Sequence, residues 1–140
     1  MFNTIVFPYD FSRFSENAAD FVVKMKEVGT KKIIIVSVVE YESFSPRPVS
    51  HELEINAYRE KTRARLKPLR EKFEKEGFEV RSFVEYGVAS KTIVDKAVAE
   101  SADLIVMGAI GSGVSHSLLG STAQNVLKIS TVPVLIVPAR

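Results

Sequence analysis

Five short apolar runs punctuate the chain, and between them hydrophobic residues recur at spacings of three and four. The runs are Thr4 to Phe7 (closed by Pro8), Lys32 to Val39, Glu79 to Val84, Leu104 to Met107 and Pro133 to Val137. Their length and β-branched content predict strands. Lys32–Val39 and Leu104–Met107 are apolar on both faces, as central strands are, whereas Glu79–Val84 alternates and predicts an edge. The intervening stretches predict helices. The first has Ser12 or Ser15 as its cap, buries Phe14, Ala18, Phe21, Val22 and Met25, and ends near Gly29. A long charged helix runs from about His51 to Lys75, with one stripe of Ile55, Tyr58, Thr62, Leu66, Leu69 and Phe73. Pro68 inside it predicts a kink or a division near Lys67, and Gly77 stops it. After a turn at Gly87, a third helix starts at Ser90 or just before it, with Ile93, Val94, Ala97 and Val98 facing inward; a fourth covers Thr122 to Ile129. Glu42 to Ser50, with Pro46 and Pro48, reads as a flexible loop.

Strands alternating with amphipathic helices imply one α/β domain over residues 1–140, a parallel sheet covered on both faces. Ligands of such sheets sit outside the carboxyl ends of the strands, where the winding reverses. Pro8-Tyr9-Asp10, Val38-Val39-Glu40, Tyr86-Gly87 and Gly108 to Gly111 occupy those ends.

The richest of these ends is Leu104 to Gln124. A buried strand runs into Gly108 and Gly111, glycines that release the backbone into conformations a side chain would obstruct. Gly120-Ser121 then opens a helix, with Ser121 and Gln124 at the spacing of a capping box. A strand, a glycine loop and a helix N-terminus together cradle phosphate, because free N–H groups converge there and the helix dipole favours negative charge.

Composition narrows the function classes. Cysteine is absent, which excludes disulfides and thiolate metal sites, and His51 and His116 are too far apart in sequence to suggest a histidine metal site. A net charge of +2 is too small for the dense basic face that nucleic acid requires. No apolar run approaches the roughly 18 residues of a membrane span, and the N-terminus lacks the pattern of a secretory signal, so a cytoplasmic protein is expected.

Over essentially its whole length the sequence resembles the universal stress protein family. The shared marks are the first strand entering Pro8-Tyr9-Asp10-Phe11-Ser12, Ser37-Val38-Val39-Glu40, Gly87, and above all Met107-Gly108-x-x-Gly111 leading to Gly120-Ser121 and Thr131 to Val137. The resemblance implies a Rossmann-like, five-stranded adenine-nucleotide-binding fold of strand order 3-2-1-4-5, and a homodimer formed through the last strand, Pro133 to Val137. It further implies ATP as ligand, with Mg2+ or Mn2+ as a companion. Pro8, Tyr9, Asp10 and the Val38 backbone would hold the nucleoside end, with Gly87 nearby. Met107, Gly108, Gly111, Gly120, Ser121 and Thr122 would line ribose and phosphates.

One feature departs from the ATP-binding pattern of the family, G-x2-G-x9-G-[ST]: eight residues, Ser112 to Leu119, separate Gly111 from Gly120. A missing residue shortens the available contour by up to about 3.5 Å. If it trims the outward part of the loop, the cradle survives; if it pulls on the glycines, the cradle fails. Gly113 supplies slack. Plainer roles compete elsewhere. Asp10 can cap the following helix, Gly108 and Gly111 can serve turn geometry alone, and His116 and Glu40 can be solvated charges. Lys61, Arg63, Arg65, Lys67 and Arg70 read as the solvated face of the long helix.

No catalytic set assembles. The chain has no G-x4-G-K-[ST] phosphate loop and no G-x-S-x-G elbow. A response-regulator receiver is excluded because Val84-Glu85-Tyr86 and Pro138-Ala139-Arg140 stand where its phosphoacceptor aspartate and its lysine belong. Two functions remain: an ATP-binding stress-response or signalling module, and a dimeric interaction module of the same fold that binds no nucleotide.

Overall fold

In a computed structural model that describes residues 1–40, 48–110 and 119–139, the strands are β1 (Thr4–Pro8), β2 (Lys32–Val39), β3 (Glu79–Tyr86), β4 (Leu104–Gly108) and β5 (Val134–Val137). They form one parallel sheet in the order β3-β2-β1-β4-β5, as expected. The helices are α1 (Arg13–Val23, continued by a 3-10 segment Lys24–Val28), α2 (Pro48–Lys75), α3 (Ala89–Ala99) and α4 (Ser121–Ile129).

Period-two alternation divides the strand side chains between two cores. Ile5, Phe7, Ile33 and Ile35 meet Ala18 and Val22 of α1 and Leu66, Leu69 and Phe73 of α2. On the other face Val6, Ile34, Val36, Ile105 and Met107 meet Ile93, Val94 and Ala97 of α3 and Ala123 and Val126 of α4. Both faces are therefore covered, and β3 and β5 are the edges.

Several boundaries differ from the sequence expectations. α2 begins at Pro48, where a proline sacrifices no helical bond, so Pro48 to Ser50 are helical rather than loop. The rest of the expected loop, residues 41–47, lies outside the described residues. Pro68 does not divide α2, which runs as one helix through it. β3 continues to Tyr86. Val98 is 56% exposed, because the buried stripe of α3 is Ser90, Ile93, Val94 and Ala97 and the next position has turned away from it. The capping box at Ser121 is not formed. The N-cap is Gly120, which has no side chain to cap with, and Gln124 Nε2 donates to the Leu119 carbonyl at 2.6 Å.

Lengths are mismatched in a way that matters for the site. The 28 residues of α2 span about 42 Å, while the eight of β2 span only about 26 Å. The helix runs back against the direction of the strands, so its N-terminal half projects past their carboxyl ends.

Candidate functional site

The central strand β1 stops first at the carboxyl edge of the sheet. It ends with Pro8 opposite Val36, so Ser37, Val38 and Val39 of β2 run on beyond it. Tyr9 N–H donates to the Val36 carbonyl at 2.9 Å, which places the backbone groups of Val36 on the β1 side. Strand alternation then turns the N–H and C=O of Val38 to that same side, past the end of β1. Val39 points the other way, its carbonyl accepting from Gly87 N–H at 3.0 Å. The same logic holds across the gap. Ala109 N–H donates to Val137 of β5 at 2.9 Å, so the backbone groups of Gly108 face β1 and the space beyond it.

That space is a cavity of about 430 Å³. Pro8, Tyr9, Asp10, Phe11 and Ser15 line it from the end of β1 to the start of α1, Val36 to Glu40 from the end of β2 and the residue after it, and Met107 to Ile110 from the end of β4 and the two residues after it. Ala89 and Ile93 contribute from α3, and Gly120, Ser121, Thr122 and Ala123 from the start of α4. It lies at the reversal of winding, between strands whose following helices cover opposite faces.

At the β1 end, Asp10 Oδ1 accepts from Ser12 N–H at 3.0 Å and from Ser15 Oγ at 2.9 Å. The N-cap of α1 is Ser12, whose Oγ accepts from Ser15 N–H at 3.2 Å, so Asp10 braces the cap without being it. Tyr9 is held by its N–H and by its carbonyl, which accepts from Ser37 Oγ at 2.8 Å. Burial pushes its phenol above the ordinary 10.0, and the carboxylates of Glu16 and Asp10 push the same way, with Arg65 opposing them. Phe11 has φ +65°, a left-handed conformation that costs an L-residue roughly 1–2 kcal/mol, and the residue lines the cavity.

At the β4 end, Gly120 N–H donates to the Ala109 carbonyl at 2.7 Å, which pins the start of α4 to the strand end. The first-turn residues Ser121, Thr122 and Ala123 all line the cavity, and the cap residue ahead of them carries no side chain. Gly108 is not required by backbone geometry. Its φ is not left-handed, and among the described residues a Cβ built there is nearest to Phe14 O at 3.5 Å and Ile110 O at 3.6 Å, ordinary contacts.

Of the residues singled out by sequence, Pro8, Tyr9, Asp10, Val38, Met107, Gly108, Gly120, Ser121 and Thr122 come together around this cavity. Gly87 does not line it. At φ +153° it makes the turn after β3 and ties that turn to Val39. Gly111 and the spacer up to residue 118 lie outside the described residues. Sequence reasoning missed two helix walls, one of them Ala89 and Ile93 of α3. Tyr58, Thr62 and Arg65, one face of the overshooting part of α2, close the cavity on the β2 side. The available signal was that the stripe on this helix turns from aliphatic to aromatic and polar ahead of Leu66.

A parallel sheet of this order, wound both ways from β1 with a cavity at its reversal point, defines a Rossmann-like α/β fold. The family model for the universal stress protein family matches residues 1–138, and the chain belongs to that family. It is similar to universal stress protein Sll1654 of Synechocystis, 34% identical over 99% of this chain and 87% of that protein. It is also similar to the solved structure of MJ0577 of Methanocaldococcus jannaschii, with a TM-score of 0.91 and 29% identity over 99% of this chain and 96% of that one. A universal stress protein solved in complex with cAMP aligns at a TM-score of 0.73 and 25% identity, over 99% and 98% of the two chains. No described helix is long and apolar enough to cross a membrane.

Proposed function

We propose that the cavity beyond β1 binds an adenine nucleotide, ATP in the first instance, and that the chain acts as a nucleotide-sensitive stress-response or signalling module. The observation that carries this is the convergence of main-chain groups from three elements on one space: Val38 of β2, Gly108 of β4 and the first turn of α4. Adenine would lie between the ends of β2 and β4 beside Val36, Val38, Val39, Met107 and Ile110, one face left open toward α2, with the Val38 N–H and C=O reading its edge. Asp10, braced by Ser12 and Ser15, would take the ribose. Gly108, Gly111, Gly120, Ser121 and Thr122 would line the phosphates. A helix N-terminus gives an anion about 0.3–1 kcal/mol, up to ~2 when partly buried. Micromolar affinity requires about 8 kcal/mol, so burial of the base supplies most of it. The cAMP complex of a related family member supports an adenine ligand in this fold.

Asp10 and Glu40 are the carboxylates of the cavity, and the described residues hold no cluster of three metal-ligating side chains. Mg2+ or Mn2+ would accordingly arrive coordinated by the phosphates. The role is binding rather than turnover, in the cytoplasm, by a homodimer joined through β5. The short Ser112–Leu119 spacer favours a second function, an interaction module of the same fold without nucleotide. Native mass spectrometry of the purified protein and calorimetric titration with ATP separate the two. Co-purified or titratable ATP establishes the first, and no binding at millimolar ATP with Mg2+ leaves the second.

A further inference from the structure

Resting on the adenine-nucleotide assignment above, we infer that Arg65 is the base-stacking residue of this site, a flat cationic platform that Phe11 holds against the open side of the nucleobase. The Arg65 guanidinium carbon lies 3.9 Å from the centre of the Phe11 ring, so the ring covers one face of the guanidinium. Phe11 is itself fixed. Its ring packs edge-on against Tyr9 at 4.9 Å between centroids, and Tyr9 packs on the buried Phe7 at 5.9 Å. This chain of rings runs from the core to the mouth of the cavity and ends on Arg65.

Stacking on Phe11 is the contact that holds Arg65 at the cavity. Arg65 is exposed, and among the described residues no carboxylate lies within ion-pair distance of it. It is also the one cationic side chain among the described residues that line the cavity. Its position favours the nucleoside end over the phosphates. α2 packs over β3 and β2, whereas the α4 N-terminus opens beside β4, on the other side of β1. Arg65 therefore stands at the end occupied by Phe11 and Asp10, where the nucleoside is placed. A guanidinium is planar and weakly hydrated, and with one face on an aromatic ring its other face can stack on a base.

Calorimetric titration of wild type, Arg65→Ala and Arg65→Lys with adenosine, AMP and ATP tests the inference. Lysine keeps the charge and loses the plane. Both variants are expected to weaken all three ligands by the same factor, about tenfold, with thermal midpoints unchanged. Phe11→Leu, which removes the ring beneath the guanidinium, is expected to weaken all three as well. A loss confined to AMP and ATP, with adenosine unaffected, would overturn stacking in favour of a phosphate contact. Wild-type affinity for all three ligands in Arg65→Ala would overturn it too, leaving the nucleotide assignment standing. A wild-type protein that binds none of the three removes the assignment itself, and the inference with it.

Discussion

At Gly108 two explanations for a glycine separate, because the described residues leave room for a Cβ there. Turn geometry does not demand glycine; close approach of a ligand would. Gly108→Ala is therefore expected to change stability by less than about 0.5 kcal/mol in denaturant. It should at the same time weaken ATP by at least about tenfold, or ~1.4 kcal/mol, in calorimetry. Undiminished ATP affinity would show that no ligand approaches this backbone. Tyr9 carries a pH signature. Its phenol is raised above 10.0 in the folded protein by burial first and by Glu16 and Asp10 second. Below pH 10 the folded and unfolded phenols are both neutral. Above it the unfolded phenol ionises first, so the stability this group contributes is lost as pH rises through the folded value. The difference between alkaline absorbance titrations of wild type and Tyr9→Phe should show a phenol ionising above pH 10; a midpoint at or below 10 contradicts the burial assigned to it. Caps were less legible than cores. Ser12 was one of two serines with equal claims, and the Asp10 brace that favours it is a side-chain contact no spacing rule encodes. At α4 the Ser121/Gln124 spacing matched a capping box, yet the Gly120–Ala109 bond fixes the helix start one residue earlier.

α2 shows why a helix can be found correctly and its role still missed. Its stripe is correct for Leu66, Leu69 and Phe73, which are buried against the sheet. Tyr58, on the same stripe, is 43% exposed, because the sheet has ended by then. Periodicity records which face a residue is on, not how far along the neighbouring strand it falls, so Arg65 read as a solvated charge. Comparing the lengths of α2 and β2 would have placed it near the strand ends. Pro68 tests the same helix differently. It sits exposed within an unbroken α2, where proline is about 3 kcal/mol less favourable than alanine. Pro68→Ala returns up to about 1 kcal/mol of that by freeing the unfolded chain, so a net gain of about 2 kcal/mol in denaturant unfolding is expected. A loss of stability instead would mean that packing of Phe73 and Leu66 depends on a bend at this proline.

The strand order, the two-faced sheet and the division of core residues were legible because each strand's pattern is short and nearly uniform, and β-α alternation leaves few topologies. What alternation does not specify is the far side of an edge, and there β5 poses the last test. All four of its residues, Val134 to Val137, are only half buried, although all are aliphatic. The carbonyls of Pro133 and Val137 accept from β4, so alternation turns the N–H groups of Val134 and Ile136 to the open edge. Such an edge is a template for a second copy of itself across a two-fold axis. Ile136→Pro deletes an outward N–H while leaving the bonds to β4, and proline is tolerated on edge strands. Sedimentation equilibrium is expected to give a dimer for wild type and a monomer for Ile136→Pro, with the same far-ultraviolet circular dichroism. A wild-type monomer at micromolar concentration removes the dimer. A variant that remains dimeric moves the contact to another surface, with the exposed Leu127 and Ile129 of α4 the next apolar candidates on this side of the sheet.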